Sequence, residues 1–414
     1  LLSKYAALIL YPFYFGVVVL SFLLSEKKEA SRIELMRNLK LWLMLGAVTI
    51  VIMCLFLPAL LVSPGYYLGK YLFSIQHKGW LAAFGAVPVI LVFLDTFLWR
   101  SRALSYCKKQ QVCLRNLLVG GVLAFGTMLV GVIVTRRMFP EWGIYRTLPF
   151  DAKELSSAIK YGVELNIFEA WLLEWNPLTF ALTPVALLGV ALLSLFVWKY
   201  RQEKVTLFVG VSALFVFLYL ALLIVTDVFT TIRYSIILYP FGGFLAAMGF
   251  WYLSEKITLK GKYIWITCFI LVASCGSLFW IKPFYLNYTN NLLPKSEILS
   301  DAWGYGGYEA AQYLNSLPEA KNLTVWADYY GVCEFFVGKC LTAYTFDGNT
   351  TQPDYYVLTR RGNIRYSTRT ALREKTSGLV AYKYYDSQDF SWKLIIDEHP
   401  ENFIKVVKIE KISI

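Results

Sequence analysis

The chain has 414 residues, 57% of them hydrophobic and only 16% charged, with a formal net charge of +12. Soluble domains carry about 25% charged residues, and here the apolar residues come in blocks, so an ordinary soluble protein is excluded and most of the chain is expected in a bilayer. Nucleic-acid binding is not implied either: residues 282–414 hold 15 basic and 15 acidic side chains, and the basic excess of 1–281 (25 against 13) sits in short loops between apolar runs, where membrane topology places it.

The first residues, "LLSKYAALILYPF", enter an apolar run with no Met, no polar lead-in and no cleavage site after it. We read the chain as lacking its true N-terminus. Eight stretches approach the ~20 residues that a helix needs to cross hydrocarbon: Tyr5–Leu24, Leu41–Ser63, Trp80–Trp99, Leu117–Thr135, Leu178–Trp198, Val205–Thr226, Tyr234–Ser254 and Tyr263–Ile281. Open strand edges do not survive in lipid, so all eight are predicted helices.

Loops 25–40, 100–116, 199–204 and 255–262 hold 16 Lys and Arg, whereas loops 64–79, 136–177 and 227–233 hold 8. The first set is therefore assigned to the cytoplasm and the second, with the C-terminal region, to the outer face. Loops 64–79 and 136–177 are rich in Trp and Tyr and read as interfacial helices. The organisation expected is a multi-span α-helical membrane domain over 1–281 and an extracytoplasmic α/β domain over 282–414.

Within that second domain "GYEAAQYLNSL" and "RTALREKTSG" read as helices. "NLTVWAD", "CLTAY" and "DYYVLT" read as buried strands, and "WKLIIDEH" with "FIKVVKIEKI" as a terminal hairpin. A partly parallel sheet with an antiparallel end is expected. Cys54, Cys268 and Cys275 fall in spans and read as packing residues. Cys107 and Cys113 are cytoplasmic, while Cys333 and Cys340 lie on the oxidising side at disulfide-compatible spacing. The two histidines, His77 and His399, cannot build a zinc site.

No phosphate-binding glycine loop or nucleophile elbow occurs. The glycines of "WGYGGYEAA" read as a turn and helix start, and Asn287, Asn322 and Asn349 head glycosylation-type triplets. What stands out is basic density at the outer surface: Lys70, Lys78, Arg136, Arg137, Arg146 and Arg233. These side chains suit a lipid-linked phosphate, or they snorkel to ordinary headgroups. Arg233, at the lip of a span, could instead pair with Asp227. His77 beside Lys78 suits phosphate binding, proton transfer or a local hydrogen bond. Glu169 and Glu174 could orient a sugar hydroxyl, serve a metal or line a solvated face. Asp95, near the cytoplasmic end of its span, reads as snorkelling.

Several stretches carry a family resemblance: "LLSKYAALILYP", "IQHKGWLAAFG", "FEAWLLEWNPLTFALTPVALL", "IRYSIILYPFGGFLAAMGF" and the join "KPFYLNYTNNLLPKSEILSDAWGYGGYEAAQYLNSLPEAKNLTV". Together they resemble the GT-C glycosyltransferases that use polyprenyl-phosphate sugars, of the protein O-mannosyltransferase and aminoarabinose transferase type. The resemblance implies inverting transfer of a sugar to an acceptor hydroxyl of a glycan, lipid or protein at the outer face, in places with a divalent metal. It implies that Arg233, Lys78, Lys4 and His77 face the donor phosphate and that Glu169, Glu174 and Arg146 contact sugar or acceptor. The family's catalytic carboxylate sits in a first outer loop whose matching spans are absent here, so it is expected upstream. A transporter or flippase of lipid-linked saccharide and a non-catalytic scaffold are the alternative readings.

Overall fold

The computed structural model describes residues 10–23, 28–56, 79–138, 167–225, 235–296, 306–342, 352–360, 362, 384–385, 387–400 and 402–409. Eleven α-helices lie among them: α1 Leu10–Leu23, α2 Lys28–Phe56, α3 Gly79–Phe97, α4 Arg102–Lys108, α5 Gln111–Met138, α6 Ile167–Ala181, α7 Pro184–Phe196, α8 Lys204–Val225, α9 Tyr239–Ser254, α10 Lys262–Trp280 and α11 Gly307–Asn315. Among the described residues a helix overlaps each of the eight apolar runs, and parts of two helices overlap Leu178–Trp198. Among the described residues three are long and apolar enough to cross a bilayer, within α5, α8 and α10, and the bent pair α6–α7 would make a fourth. The stretch Leu178–Trp198, expected as one span, is broken: Ala170–Ala181 and Pro184–Phe196 meet at 116°.

The chain forms two compact units, residues 1–125 with 193–218, and residues 126–192 with 219–414. In the first, Tyr11 Oη donates to the Trp42 carbonyl (2.8 Å) and Trp42 Nε1 donates to the Tyr11 carbonyl (3.0 Å). Their rings stack at 4.2 Å, which ties α1 to α2. Phe13 packs edge-on against Phe215 of α8. Asp95 is buried rather than snorkelling. Its carboxylate accepts the amides of Ala103 and Leu104, each at 2.9 Å, and so serves the orphan donors at the start of α4.

In the second unit α7 and α9 approach closely at Gly189, where a Cβ would lie 2.5 Å from the Ala246 carbonyl oxygen. No residue of α10 is buried. Cys268 and Cys275 on it are exposed, in contrast to the packing role expected of them. The C-terminal sheet has strands β1 Thr324–Ala327, β2 Lys339–Thr342, β3 Tyr355–Thr359, β4 Trp392–Ile395 and β5 Phe403–Lys408, in the order β2-β1-β3-β5-β4. β1 pairs parallel with β2 and β3, while β5 pairs antiparallel with β3 and β4.

Alternation along the strands sends Val325, Ala327, Val357, Ile404 and Val406 to one face, where Ala310, Ala311 and Leu314 of α11 cover them. Trp326, Tyr356, Leu358, Phe403 and Val407 point to the other, with Tyr385. Gly306, at φ +82°, starts α11 where a Cβ would meet Ile404 at 2.5 Å. Cys333 and Cys340 are joined by a disulfide between the β1–β2 connection and β2, with Cα atoms 5.3 Å apart.

Candidate functional site

The break between α6 and α7 is the place where the membrane helices and the join to the sheet come together. Pro184 has no N–H, so the Phe180 carbonyl loses its helical partner. The main-chain amide of Asn290 takes that place at 2.7 Å. Asn290 Nδ2 donates to the carbonyls of Thr179 (2.9 Å) and Leu182 (2.8 Å), so one residue of the join satisfies three carbonyls at the break.

The end of α5 reaches the same stretch. Arg137 Nη2 donates to the Asn291 carbonyl (2.7 Å) and Nε to that of Leu292 (3.1 Å). Arg136 beside it is 1% exposed. Neither arginine snorkels freely: one is buried in protein and the other is held by main chain. On α6, Glu174 is 2% exposed and Trp175, Asn176 and Thr179 are buried with it, so Glu174 lies inside the protein and not on a solvated face. A buried guanidinium and a buried carboxylate in one unit are groups that proteins keep only with partners.

On both sides of Asn290, at Thr289 and Lys295, the join meets the β4–β5 turn. Asp397 and Glu398 there hold left-handed backbone, φ 56° and 55°. Thr289 Oγ1 donates to Asp397 Oδ2 at 2.6 Å, and the Thr289 amide reaches the same oxygen at 3.3 Å. His399 Nε2 is 3.2 Å from Thr289 Oγ1, and its Nδ1 is 3.1 Å from the Lys295 carbonyl. Lys295 and Glu398 pair at the exposed rim. Burial pushes the Asp397 carboxyl above the usual carboxylate range, partly offset by Thr289 and His399. The hydrogen bond and charge of Lys295 hold Glu398 below it.

A separate polar cluster closes the ends of β1 and β3. The buried Asp328 carboxylate accepts the Thr359 amide (2.6 Å), Thr359 Oγ1 (2.9 Å) and Tyr385 Oη (2.9 Å). Lys405, buried in β5, donates to the carbonyls of Tyr385 (2.7 Å) and Ser387 (2.8 Å).

Of the residues singled out in the sequence, Arg233, Lys78, His77, Lys4, Arg146, Lys70 and Asp227 lie outside the described residues, as does the helix expected at "RTALREKTSG". The same holds for loop 64–79 and most of 136–177. Glu169 lies on α6, but its side chain is outside the description. No group of His, Cys, Asp and Glu among the described residues could hold a metal ion. Thr289, Asp397 and Asp328 escaped the sequence reading, Asn290 entered it only within the quoted join, and His399 was weighed only as a zinc ligand. Their importance depends on partners about 30 to 110 residues away, which no local pattern signals. No protein-family model, curated protein or solved structure matches this chain.

Proposed function

We propose that the chain is a membrane glycosyltransferase of the GT-C kind. In this reading a bundle of about eight spans carries an extracytoplasmic α/β domain. It moves a sugar from a polyprenyl-phosphate donor to an acceptor glycan, lipid or protein on the outer face. The observation that carries the reading is Arg136, buried at the end of the 28-residue helix α5, with Arg137 locked beside it. A guanidinium at the end of a span lies at the depth of a lipid phosphate. Arg136 itself is sealed in protein and engaged there, so it would add to the positive end of the span at which Arg233 and Lys78 would bind the donor and offset charge that builds on the departing phosphate.

Arg233, Lys78, Lys4 and His77 are assigned to the same anion, and Glu169, Glu174 and Arg146 to sugar or acceptor. A divalent metal would assist from residues outside those described. The Cys333–Cys340 disulfide supports an oxidising compartment for the C-terminal domain, hence a plasma membrane in a prokaryote or endoplasmic reticulum in a eukaryote. The test is transfer from labelled polyprenyl-phosphate sugars by the full-length protein in liposomes. Arg233→Ala should lower turnover about 10²–10³-fold, as loss of one well-placed donor does; unchanged turnover in a folded variant sinks the assignment.

One observation favours a second reading, translocation of a lipid-linked saccharide. The α6–α7 pair is discontinuous, and broken helices are frequent at transporter binding sites. Movement of intact donor between leaflets of the same liposomes, with no sugar released, would select it.

A further inference from the structure

We infer that Thr289, Asp397 and His399 form a proton-operated clasp, which tightens the join onto the β4–β5 turn when the three groups together take up one proton. The inference stands on hydrogen-bond counting and does not rest on the reaction proposed above.

The Lys295 carbonyl can only accept, so the bond to it requires a proton on His399 Nδ1. A neutral ring then has a bare Nε2, which faces Thr289 Oγ1 at 3.2 Å. The same hydroxyl faces Asp397 Oδ2 at 2.6 Å, and that oxygen lies 3.8 Å from Nε2. Thr289 has one hydroxyl proton. With an ionised carboxylate and a neutral ring it can serve one neighbour, and the other contact sets lone pair against lone pair.

One added proton resolves the conflict by either of two routes. An imidazolium donates from Nε2 to Oγ1, and the hydroxyl donates to Asp397. Alternatively a protonated Asp397 donates to Oγ1, and the hydroxyl donates to Nε2. The hydroxyl relays between the two arrangements, and both satisfy every group. Burial of Asp397, which favours its protonated form, works in the same direction. The other charged and titratable groups facing the cluster are Glu398 and Lys295, which pair with each other, and Tyr288, whose hydroxyl is pushed up by burial.

A hydrolytic triad would need the carboxylate on Nδ1. Here a main-chain carbonyl holds Nδ1 and the carboxylate takes the hydroxyl, so Thr289 is not set up as a nucleophile. The next residue, Asn290, serves the α6–α7 break, and Arg137 grips the two after it. Proton uptake at the turn is thereby felt at the membrane helices.

The test uses the full chain carrying His77→Asn, which leaves His399 as its one imidazole. Amide-exchange protection of residues 288–296 is compared at about pH 7.5 and about pH 5.5 and normalised to β1. Protection should rise about two- to tenfold on acidification, the range for one hydrogen bond gained. Thr289→Ser should keep the rise, and Thr289→Val and His399→Gln should lose it. No rise in the parent, or an equal rise in both of the latter variants, overturns the clasp. If those variants fail to fold, the ring ¹⁵N shifts of His399 in the parent decide. Nδ1 protonated throughout, with protection rising as the cluster gains its proton, supports the clasp; an Nδ1 that loses its proton at the higher pH overturns it.

Discussion

Asn290 stands in for the turn that α6 loses: its side-chain amide donates to the carbonyls of Thr179 and Leu182 while its main-chain amide fills the gap left by Pro184. Asn290→Ala would leave two buried carbonyls unmet and should destabilise by about 1–3 kcal/mol. Asn290→Asp should do worse, because it points a carboxylate at the same oxygens. Thermal unfolding of the detergent-solubilised chain checks both.

Asp328 gathers three donors at the ends of two parallel strands. Asp328→Ala strands all of them in a buried place, and we expect a loss of about 2–4 kcal/mol. Thr359→Val keeps the volume but removes one donor to Asp328 and the acceptor of the Gly362 amide, so about 1–2 kcal/mol is expected. Denaturant titration followed by tryptophan emission distinguishes the two.

Cys333 and Cys340 are 7 positions apart. Closing so short a loop stabilises by about 2.5 kcal/mol in the chain-entropy account. Reduction, or a Cys333→Ala and Cys340→Ala double variant, should lower the melting point of the sheet domain by a matching amount. Equal melting of the oxidised and reduced chains would show that the bridge is redundant.

Asp397 and Glu398 should respond to acid in opposite directions. The native Asp397 keeps a proton that the unfolded chain releases, so acidification from neutrality through its raised native value adds stability. Glu398 is held low by Lys295, so its contribution is present above the ordinary glutamate range and is lost as pH falls through its depressed native value. Asp397→Asn should erase the first effect and leave the second. Denaturation midpoints from about pH 7 down to about pH 3 would separate them.

Arg233→Ala should abolish sugar transfer while expression stays normal, if Arg233 faces the donor phosphate. A loss of about 2.7–4 kcal/mol in barrier is the expected scale. Turnover equal to the parent removes Arg233 from the site.

Much of the sheet domain was legible in the sequence. Alternation in "DYYVLT" and "FIKVVK" sends consecutive residues to opposite faces, and each face is covered, so both strands announce themselves. "GYEAAQYLN" likewise shows the spacing that buries Ala310, Ala311 and Leu314. The break in Leu178–Trp198 was not legible. Pro is tolerated inside membrane helices, so composition does not separate a kink from a stop; the answer lies with Asn290, 110 residues downstream of Phe180. Glu174 misled for a related reason, since helical spacing says which residues share a face and not whether another helix covers it. The basic residues that the resemblance assigns to the donor phosphate, Arg233 and Lys78 among them, lie outside the described residues.

The seven residues from Thr289 to Lys295 work as a spacer of set length. Thr289 belongs to the sheet, Asn290 to the broken helix, Asn291 and Leu292 to Arg137, and Lys295 to the sheet again. Adding or deleting one residue there would throw one set of attachments out of phase with the others. The stretch should therefore tolerate exchange of its outward side chains far better than any change in its count.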